Sequence, residues 1–145
     1  MQKLKVLFLC TGNSCRSQMA EGWARRLKAD IIEAYSAGTQ PKAVDPLAVR
    51  AMAESGIDIS GQRSKSAMEL MDMEFDYVIT LCDDAQQSCP FFPAKMAIFH
   101  HGFDDPPRLA EDAVDEEQAM QHYRRVRDEI KAYIESMPES LYGST

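Results

Sequence analysis

The sequence lacks any hydrophobic run close to the roughly 18 apolar residues that a membrane-spanning helix needs. It also lacks a basic segment followed by an apolar one near its first residue, so we expect neither a membrane protein nor an exported one. Cysteine is scarce, with four residues in 145, and without an export signal this number argues against a disulfide framework. We therefore expect a cytoplasmic protein whose thiols are free.

Positive charge is scarce too, because the chain carries 16 Lys and Arg against 23 Asp and Glu, a formal net charge of −7. Seven of the acidic residues lie within residues 104–117, where Arg108 is the only base. This balance argues against binding to nucleic acid or to an anionic membrane. An anionic ligand would therefore have to be held by a local field.

Signals for cofactors and metals are missing as well. No Gly-Lys-Ser or Gly-Lys-Thr is present, so nucleotide binding through a Walker A loop has no support. The paired cysteines are separated by four and by six residues, which exceeds the usual short spacing of zinc ligands. We expect no bound metal, no bound cofactor and a monomeric protein.

Apolar runs of strand length alternate along the chain with amphipathic segments. The runs predict strands over residues 5–9, 31–35, 77–81 and 95–99, and the amphipathic segments predict helices over residues 17–28, 46–54, 66–71 and 118–137. This order predicts an α/β fold with a four-stranded parallel sheet flanked by helices on both faces. Residues 1–138 should form one catalytic domain, 82–93 a loop within it, and 139–145 a disordered tail.

The most informative segment is Cys10-Thr-Gly-Asn-Ser-Cys-Arg-Ser17, between the first predicted strand and the first predicted helix. Its successive backbone N–H groups can converge on a tetrahedral anion, assisted by the helix N-terminus. Arg16 adds a planar fork of donors, and the same field favours the reactive thiolate of Cys10. The predicted substrate-binding residues are Thr11, Gly12, Asn13, Ser14, Cys15, Arg16 and Ser17. The segment predicts a site that binds and attacks a phosphate-like oxyanion, in preference to a structural Cys10 with Arg16 on the surface.

Two further cysteines bear on the chemistry of this site. Cys82 ends the third predicted strand, at the same edge of the sheet as Cys10, and Cys89 follows seven positions later. Closing so short a loop into a disulfide costs little chain entropy, so three thiols placed in this way can exchange a disulfide. Cys82 taken alone favours a buried structural residue, but its combination with Cys10 and Cys89-Pro90 favours a redox function.

These residues resemble the low-molecular-weight protein tyrosine phosphatase superfamily, whose anion loop has the pattern Cys-x5-Arg-Ser. Residues 10–23 are more similar to one branch of it, the thioredoxin-coupled arsenate reductases. Further matches are Tyr35-Ser-Ala-Gly38, Ile57-Asp-Ile-Ser60, Val78-Ile-Thr-Leu-Cys-Asp83, Cys89-Pro90, Gly102-Phe-Asp-Asp-Pro106 and Arg125-Val-Arg-Asp-Glu-Ile130. The resemblance extends to about residue 134 and implies the same α/β fold.

The resemblance implies arsenate as the substrate, phosphate and sulfate as competing anions, and thioredoxin as the external reductant. Cys10 would attack arsenate while Asp105 protonates the departing oxygen, and Ser17 would hydrogen-bond the thiolate. Cys82 would then release arsenite and form a transient Cys10–Cys82 disulfide. Cys89 would convert that bond to Cys82–Cys89. Asp104 is the immediate rival of Asp105, and the family pattern selects Asp105 because it directly precedes Pro106.

Two other functions remain open. A low-molecular-weight tyrosine phosphatase would need Cys10, Arg16, Ser17 and Asp105 but neither of the later cysteines. Pro107 replaces the Tyr that such phosphatases usually have after Asp-Pro, which weakens this alternative, although weak phosphatase side activity is expected. The other alternative is a non-catalytic redox or oxyanion sensor.

The resemblance also raises the question of potassium. Some reductases of this branch bind potassium with side chains that match Asn13, Glu21 and Ser36, and with a Thr where this chain has Arg63. The guanidinium of Arg63 would take the cation's place and pair with Glu21. We therefore predict no potassium dependence.

Overall fold

The structure, a computed structural model, describes residues 3–81 and 92–142. Four strands in this part of the chain form one parallel sheet in the order β2-β1-β3-β4. Their bounds are Leu4–Cys10 (β1), Ile32–Gly38 (β2), Tyr77–Thr80 (β3) and Ala97–His100 (β4). The predicted four-stranded parallel sheet is confirmed. Cys82, Cys89 and most of the predicted 82–93 loop lie outside the described residues.

Helices follow the strands as the sequence pattern predicts. The α-helices are Arg16–Leu27 (α1), Pro46–Glu54 (α2), Pro106–Leu109 (α3) and Glu116–Glu135 (α4), and 3-10 turns cover Ala67–Leu70, Ala110–Asp112 and Glu139–Leu141. Asp45 caps α2 by accepting a hydrogen bond from the Leu47 N–H at 2.9 Å. Among these α-helices, only α3 was not predicted. None of the helices described combines the length and apolar character needed to cross a membrane.

Strand β1 is the centre of the core because both of its faces are buried. Val6 and Phe8 face the larger cluster, which contains side chains of α1, α2 and α4. Leu7 and Leu9 face a smaller cluster with Phe75, Phe92 and residues of the 67–70 turn. The carboxyl end of β1, where Cys10 stands, is therefore held between two packed layers.

Several predicted boundaries require correction. Strand β2 continues to Gly38 and not only to residue 35, α4 covers Glu116–Glu135 and not 118–137, and the helix predicted over 66–71 is a 3-10 turn over Ala67–Leu70. Strand β4 begins at Ala97 and not at Lys95, because the Lys95 and Met96 N–H groups bond to the carbonyls of Phe75 and Asp76, before the ladder begins. The tail expected from residue 139 is ordered as far as the structure describes it. Leu141 is 3% exposed and packs into the larger cluster, so burial of one apolar side chain extends the domain beyond residue 138.

Candidate active site

The anion loop, residues 10–17, begins where β1 ends and passes into the first turn of α1. Strand β2 lies directly against it at Gly38. A Cβ added at Gly38 would lie 2.5 Å from the Thr11 carbonyl oxygen, 2.7 Å from that of Cys10 and 2.9 Å from the Asn13 nitrogen. Only glycine allows so close an approach of two backbones.

Four successive carbonyl groups of the anion loop, those of residues 11–14, accept hydrogen bonds from outside it. Gln40 N donates to Thr11 O, Lys42 N to Gly12 O, the Gln18 side chain to Asn13 O, and Asp45 N to Ser14 O, each at 2.9 Å. The carbonyls are thereby fixed on the outer side of the loop. A loop whose carbonyls are held on one side can direct its N–H groups to the other, and a concavity of such groups binds anions.

Asn13 holds the shape of this loop from within. Its φ of 47° places it in the left-handed region, which asparagine tolerates better than most residues, and its side chain is fully buried. Its Nδ2 donates to Ser17 Oγ at 2.7 Å and its Oδ1 accepts from Lys65 N at 2.7 Å. These two hydrogen bonds brace the anion loop from within.

Ser17 is the polar partner of the candidate nucleophile. Its Oγ lies 2.9 Å from Cys10 Sγ, and both residues are buried. Because Asn13 already donates to this oxygen, the hydroxyl hydrogen of Ser17 is available to the sulfur. A hydroxyl that donates to the sulfur stabilises a thiolate and not a thiol.

We predict that Ser17→Ala lowers the rate at which iodoacetamide alkylates Cys10 by about 10- to 100-fold, because a hydrogen bond to a charged group is lost. The measurement is mass spectrometry of the Cys10 peptide over time at pH 7. Ser140→Ala removes an exposed hydroxyl that pairs with Ser136, and serves as the control. Equal alkylation rates in the three proteins would show that Ser17 does not stabilise the thiolate.

Arg16 joins the anion loop to two other segments. Its Nη1 donates to the Phe103 carbonyl at 2.9 Å and to the Leu81 carbonyl at 3.3 Å, and the residue is 7% exposed. Leu81 immediately precedes Cys82 in the chain. One guanidinium therefore binds both Leu81, the residue before Cys82, and Phe103, two residues before Asp105.

The two neighbouring aspartates have different surroundings. Asp105 Oδ1 lies 3.7 Å from Arg16 Nη2 and the side chain is one-third exposed. Asp104 Oδ2 instead pairs with Arg125 Nη2 at 2.9 Å on the surface. The structure brings Asp105, and not Asp104, to the arginine of the anion loop.

Cys15 faces away from this chemistry. It is 3% exposed and packs in the larger core cluster. Burial, and to a lesser extent the Asp45 carboxylate, holds the pKa of the Cys15 thiol well above its usual value. A buried neutral thiol is a poor nucleophile, so only the backbone of Cys15 is suited to contact an anion.

The predicted Arg63–Glu21 pair is wrong. Arg63 Nη2 instead pairs with Glu69 at 2.9 Å, because Glu69 lies on the adjoining 67–70 turn. The buried Glu21 accepts from Ser36 Oγ at 2.5 Å and pairs with Arg25 at 2.7 Å, and Lys65 Nζ lies 3.9 Å away. Arg25, Ser36 and Lys65 therefore surround the carboxylate at which Arg63 was predicted. Over residues 3–81 and 92–142 no group of three metal-ligating side chains is found.

We predict that replacing sodium with potassium at constant ionic strength leaves turnover unchanged, because Arg25 and Lys65 already supply positive charge at Glu21. The measurement is the steady-state rate against potassium concentration, with the total salt fixed to keep screening constant. Activation by more than about threefold, beyond what screening explains, would contradict this prediction.

A thiol presented from beneath a concavity of backbone amides, with an arginine and an aspartate at its rim, defines an enzyme class. The class attacks tetrahedral oxyanions with a cysteine nucleophile. Within that class, the chain belongs to the low molecular weight phosphotyrosine protein phosphatase family, whose sequence profile matches residues 5–143.

Known relatives of this chain extend over nearly its whole length. It is 46% identical to an arsenate reductase of Halalkalibacterium halodurans over 140 residues, covering 97% of this chain and 99% of the relative. It is also 46% identical to an arsenate reductase of Bacillus licheniformis over 144 residues, with the same coverages. A solved arsenate reductase in a phosphate-binding state superposes with a TM-score of 0.77 at 33% identity, covering 94% of this chain and 98% of that one.

Several residues of this site were not predicted from the sequence. They are Gln18, the backbone donors of residues 40–45, Lys65 and, behind them, Tyr123. All but Gln18 act from distant parts of the chain, and no local pattern marks them. Gln18 directly follows the motif in the sequence, and this adjacency could have indicated that it belongs to the site.

Proposed function

We propose that this protein is an arsenate reductase that works through Cys10, Cys82 and Cys89. The observation that carries the proposal is the position of Leu81. Its N–H bonds to the Leu9 carbonyl at 2.8 Å and its carbonyl accepts from Arg16, so the residue that precedes Cys82 in the sequence lies beside the anion loop. The arsenate reductases that match this chain at 46% identity over nearly its whole length add support.

The first step forms a bond between Cys10 sulfur and arsenic. The thiolate, stabilised by Ser17, attacks arsenate held by the loop amides and Arg16, and one oxygen leaves. Asp105 donates a proton to that oxygen, so that water departs and not hydroxide. Arsenic remains in the +5 state, covalently attached to Cys10.

The second step is the reduction. Cys82 sulfur attacks Cys10 sulfur, and the electron pair of the breaking sulfur–arsenic bond passes to arsenic, which leaves as arsenite in the +3 state. Two thiols have become one disulfide, which balances the two electrons gained by arsenic. Cys89 then attacks Cys82, which frees Cys10 and leaves a Cys82–Cys89 disulfide.

Regeneration needs an external dithiol, and thioredoxin is the proposed partner. A disulfide between two cysteines seven positions apart is suited to reduction by a protein that carries two thiols of its own. No bound cofactor enters this cycle, and phosphate and sulfate are expected to compete for the loop because they share the tetrahedral shape of arsenate.

A tyrosine phosphatase is the second candidate, since the family profile carries that name and the loop, Arg16 and Asp105 suffice for phosphoryl transfer. Pro107 argues against it, because the aromatic ring that would grip phosphotyrosine is missing at that position. Cys82 and Cys89 would then have no part in turnover.

The deciding experiment is a single turnover of fully reduced protein with arsenate, followed by peptide mapping of disulfides. One arsenite per protein together with a Cys82–Cys89 bridge is expected. No arsenite, free thiols and hydrolysis of p-nitrophenyl phosphate would favour the phosphatase. Oxidation of Cys82 and Cys89 by a general oxidant, without arsenite or phosphatase turnover, would favour a sensor.

A further inference from the structure

We propose that Tyr123 is a positioning residue for the anion loop, because its hydroxyl fixes, and partly offsets the charge of, the one carboxylate that is built into the segment behind that loop. The segment is residues 40–45, here called the strap, and the carboxylate is Asp45. The inference concerns oxyanion binding by the family's loop. It does not depend on whether the bound anion is later reduced.

The strap determines which way the loop carbonyls point. Its N–H groups at Gln40, Lys42 and Asp45 are three of the donors that hold the carbonyls of the anion loop outward. Pro41, Lys42 and Ala43 are exposed, so the middle of the strap is held by few side-chain contacts of its own. Val44 packs against the larger core cluster, so the side chains that anchor the strap are at its Val44–Asp45 end.

Asp45 is the fixed end of the strap. Its Oδ1 caps α2, its N–H donates to Ser14 O at 2.9 Å, and its Oδ2 accepts from Tyr123 Oη at 2.5 Å. Tyr123 comes from α4, 78 positions along the chain, and is 2% exposed. The hydroxyl of this buried tyrosine therefore donates its hydrogen bond to one carboxylate oxygen behind the anion loop.

A carboxylate in this position works against the function of the loop. Asp45 is close enough to Cys15 to contribute, after burial, to the raised pKa of that thiol. Burial, then the hydrogen bond to Asp45, raises the pKa of Tyr123 well above its usual value, and Cys15 and Asp105 add smaller effects. Tyr123 therefore remains a donor, and its O–H dipole offsets a negative charge that would otherwise oppose an anion in the loop.

If Tyr123 acts by offsetting the charge of Asp45, removing that charge should restore phosphate binding, whereas a purely structural contact would not be restored. A double-mutant cycle of Tyr123 and Asp45 separates the two. Tyr123→Phe leaves Asp45 Oδ2 without its donor and should weaken binding of inorganic phosphate about tenfold, a typical loss for a hydrogen bond to a charged group. Asp45→Asn keeps a cap for α2 and removes the charge, so phosphate should bind at least as tightly as to the wild type. The double variant should return to within about threefold of the wild type.

The measurement is calorimetric titration with inorganic phosphate, accompanied by thermal unfolding of each variant. Tyr77→Phe removes the hydroxyl of a buried tyrosine at the opposite, amino end of β3 and is the matched control. Weaker phosphate binding by Asp45→Asn, or no recovery in the double variant, would overturn the proposal and leave Tyr123 a purely structural residue. Because no arsenate is present, failure here is distinct from failure of the proposed reductase activity.

Discussion

Replacing Cys89 with serine should allow one arsenite to form per protein and then stop the enzyme. Cys10 and Cys82 remain in this variant, so arsenate is attacked and reduced, and a Cys10–Cys82 disulfide forms. Without Cys89 the disulfide cannot move away from Cys10, and the nucleophile stays blocked. Steady-state arsenate reduction with thioredoxin present should fall by about two orders of magnitude or more, while the first turnover stays near its normal rate.

The same variant supplies its own control. Hydrolysis of p-nitrophenyl phosphate needs the anion loop and Asp105 but not Cys89, so reduced Cys89→Ser should retain the wild-type phosphatase rate. Peptide mapping after one turnover should recover the Cys10–Cys82 bridge. Sustained arsenate reduction at the wild-type rate would refute the relay, and loss of both activities would indicate that Cys89 supports the fold instead.

Replacing Arg16 with lysine should reduce kcat/KM for arsenate by about 10²- to 10³-fold, although the positive charge is kept. The guanidinium donates through Nη1 to the carbonyls of Leu81 and Phe103, and its Nη2 lies toward Asp105. A lysine ammonium carries its donors on a single nitrogen and lacks the planar fork that lets Nη1 bind the carbonyls while Nη2 lies toward Asp105. The segment that leads to Cys82 and the segment that carries Asp105 would both lose their tie to the loop.

Arg63→Lys is the matched control for this prediction. Arg63 is an exposed arginine that pairs with Glu69 at 2.9 Å, and its replacement should change kcat/KM by less than about twofold. Single-turnover rates and phosphate affinity should be measured for both variants. An Arg16→Lys enzyme within threefold of the wild type would mean that charge alone explains the function of Arg16.

The sequence predicts best where the signal is local. The apolar run of β1 and the Asp45-Pro46 pair that opens α2 were sufficient for those elements, and both were placed within one residue. The prediction of a disordered tail was wrong over residues 139–142. A single leucine in a polar stretch has no periodicity, yet Leu141 is buried in the core. The start of strand β4 was predicted two residues too early because residues 95 and 96 bond to residues 75 and 76 just before the β3–β4 ladder begins.

The candidate site divides in the same way. The anion loop is contiguous, so its residues were found together from one motif, and the backbone geometry explains why that motif is suited to an oxyanion. Contacts between distant segments were not found. Tyr123 meets Asp45 across 78 positions, and Lys65 approaches Glu21 where Arg63 had been expected. Such pairs depend on how α4 and the 63–66 segment fold back on α1, and no local spacing encodes this.

The outward carbonyls and the Gly38 contact together leave the loop little room to adjust to its ligand. A cup lined by amides that are already in place recognises four oxygens around a small centre, and phosphorus and arsenic both provide them. Discrimination between the two elements must then come after binding, from chemistry: arsenic(V) accepts an electron pair from a thiol and phosphorus(V) does not. In this protein, the preference for arsenate over phosphate would come from the attack by the second sulfur and not from the affinity of the loop for either anion.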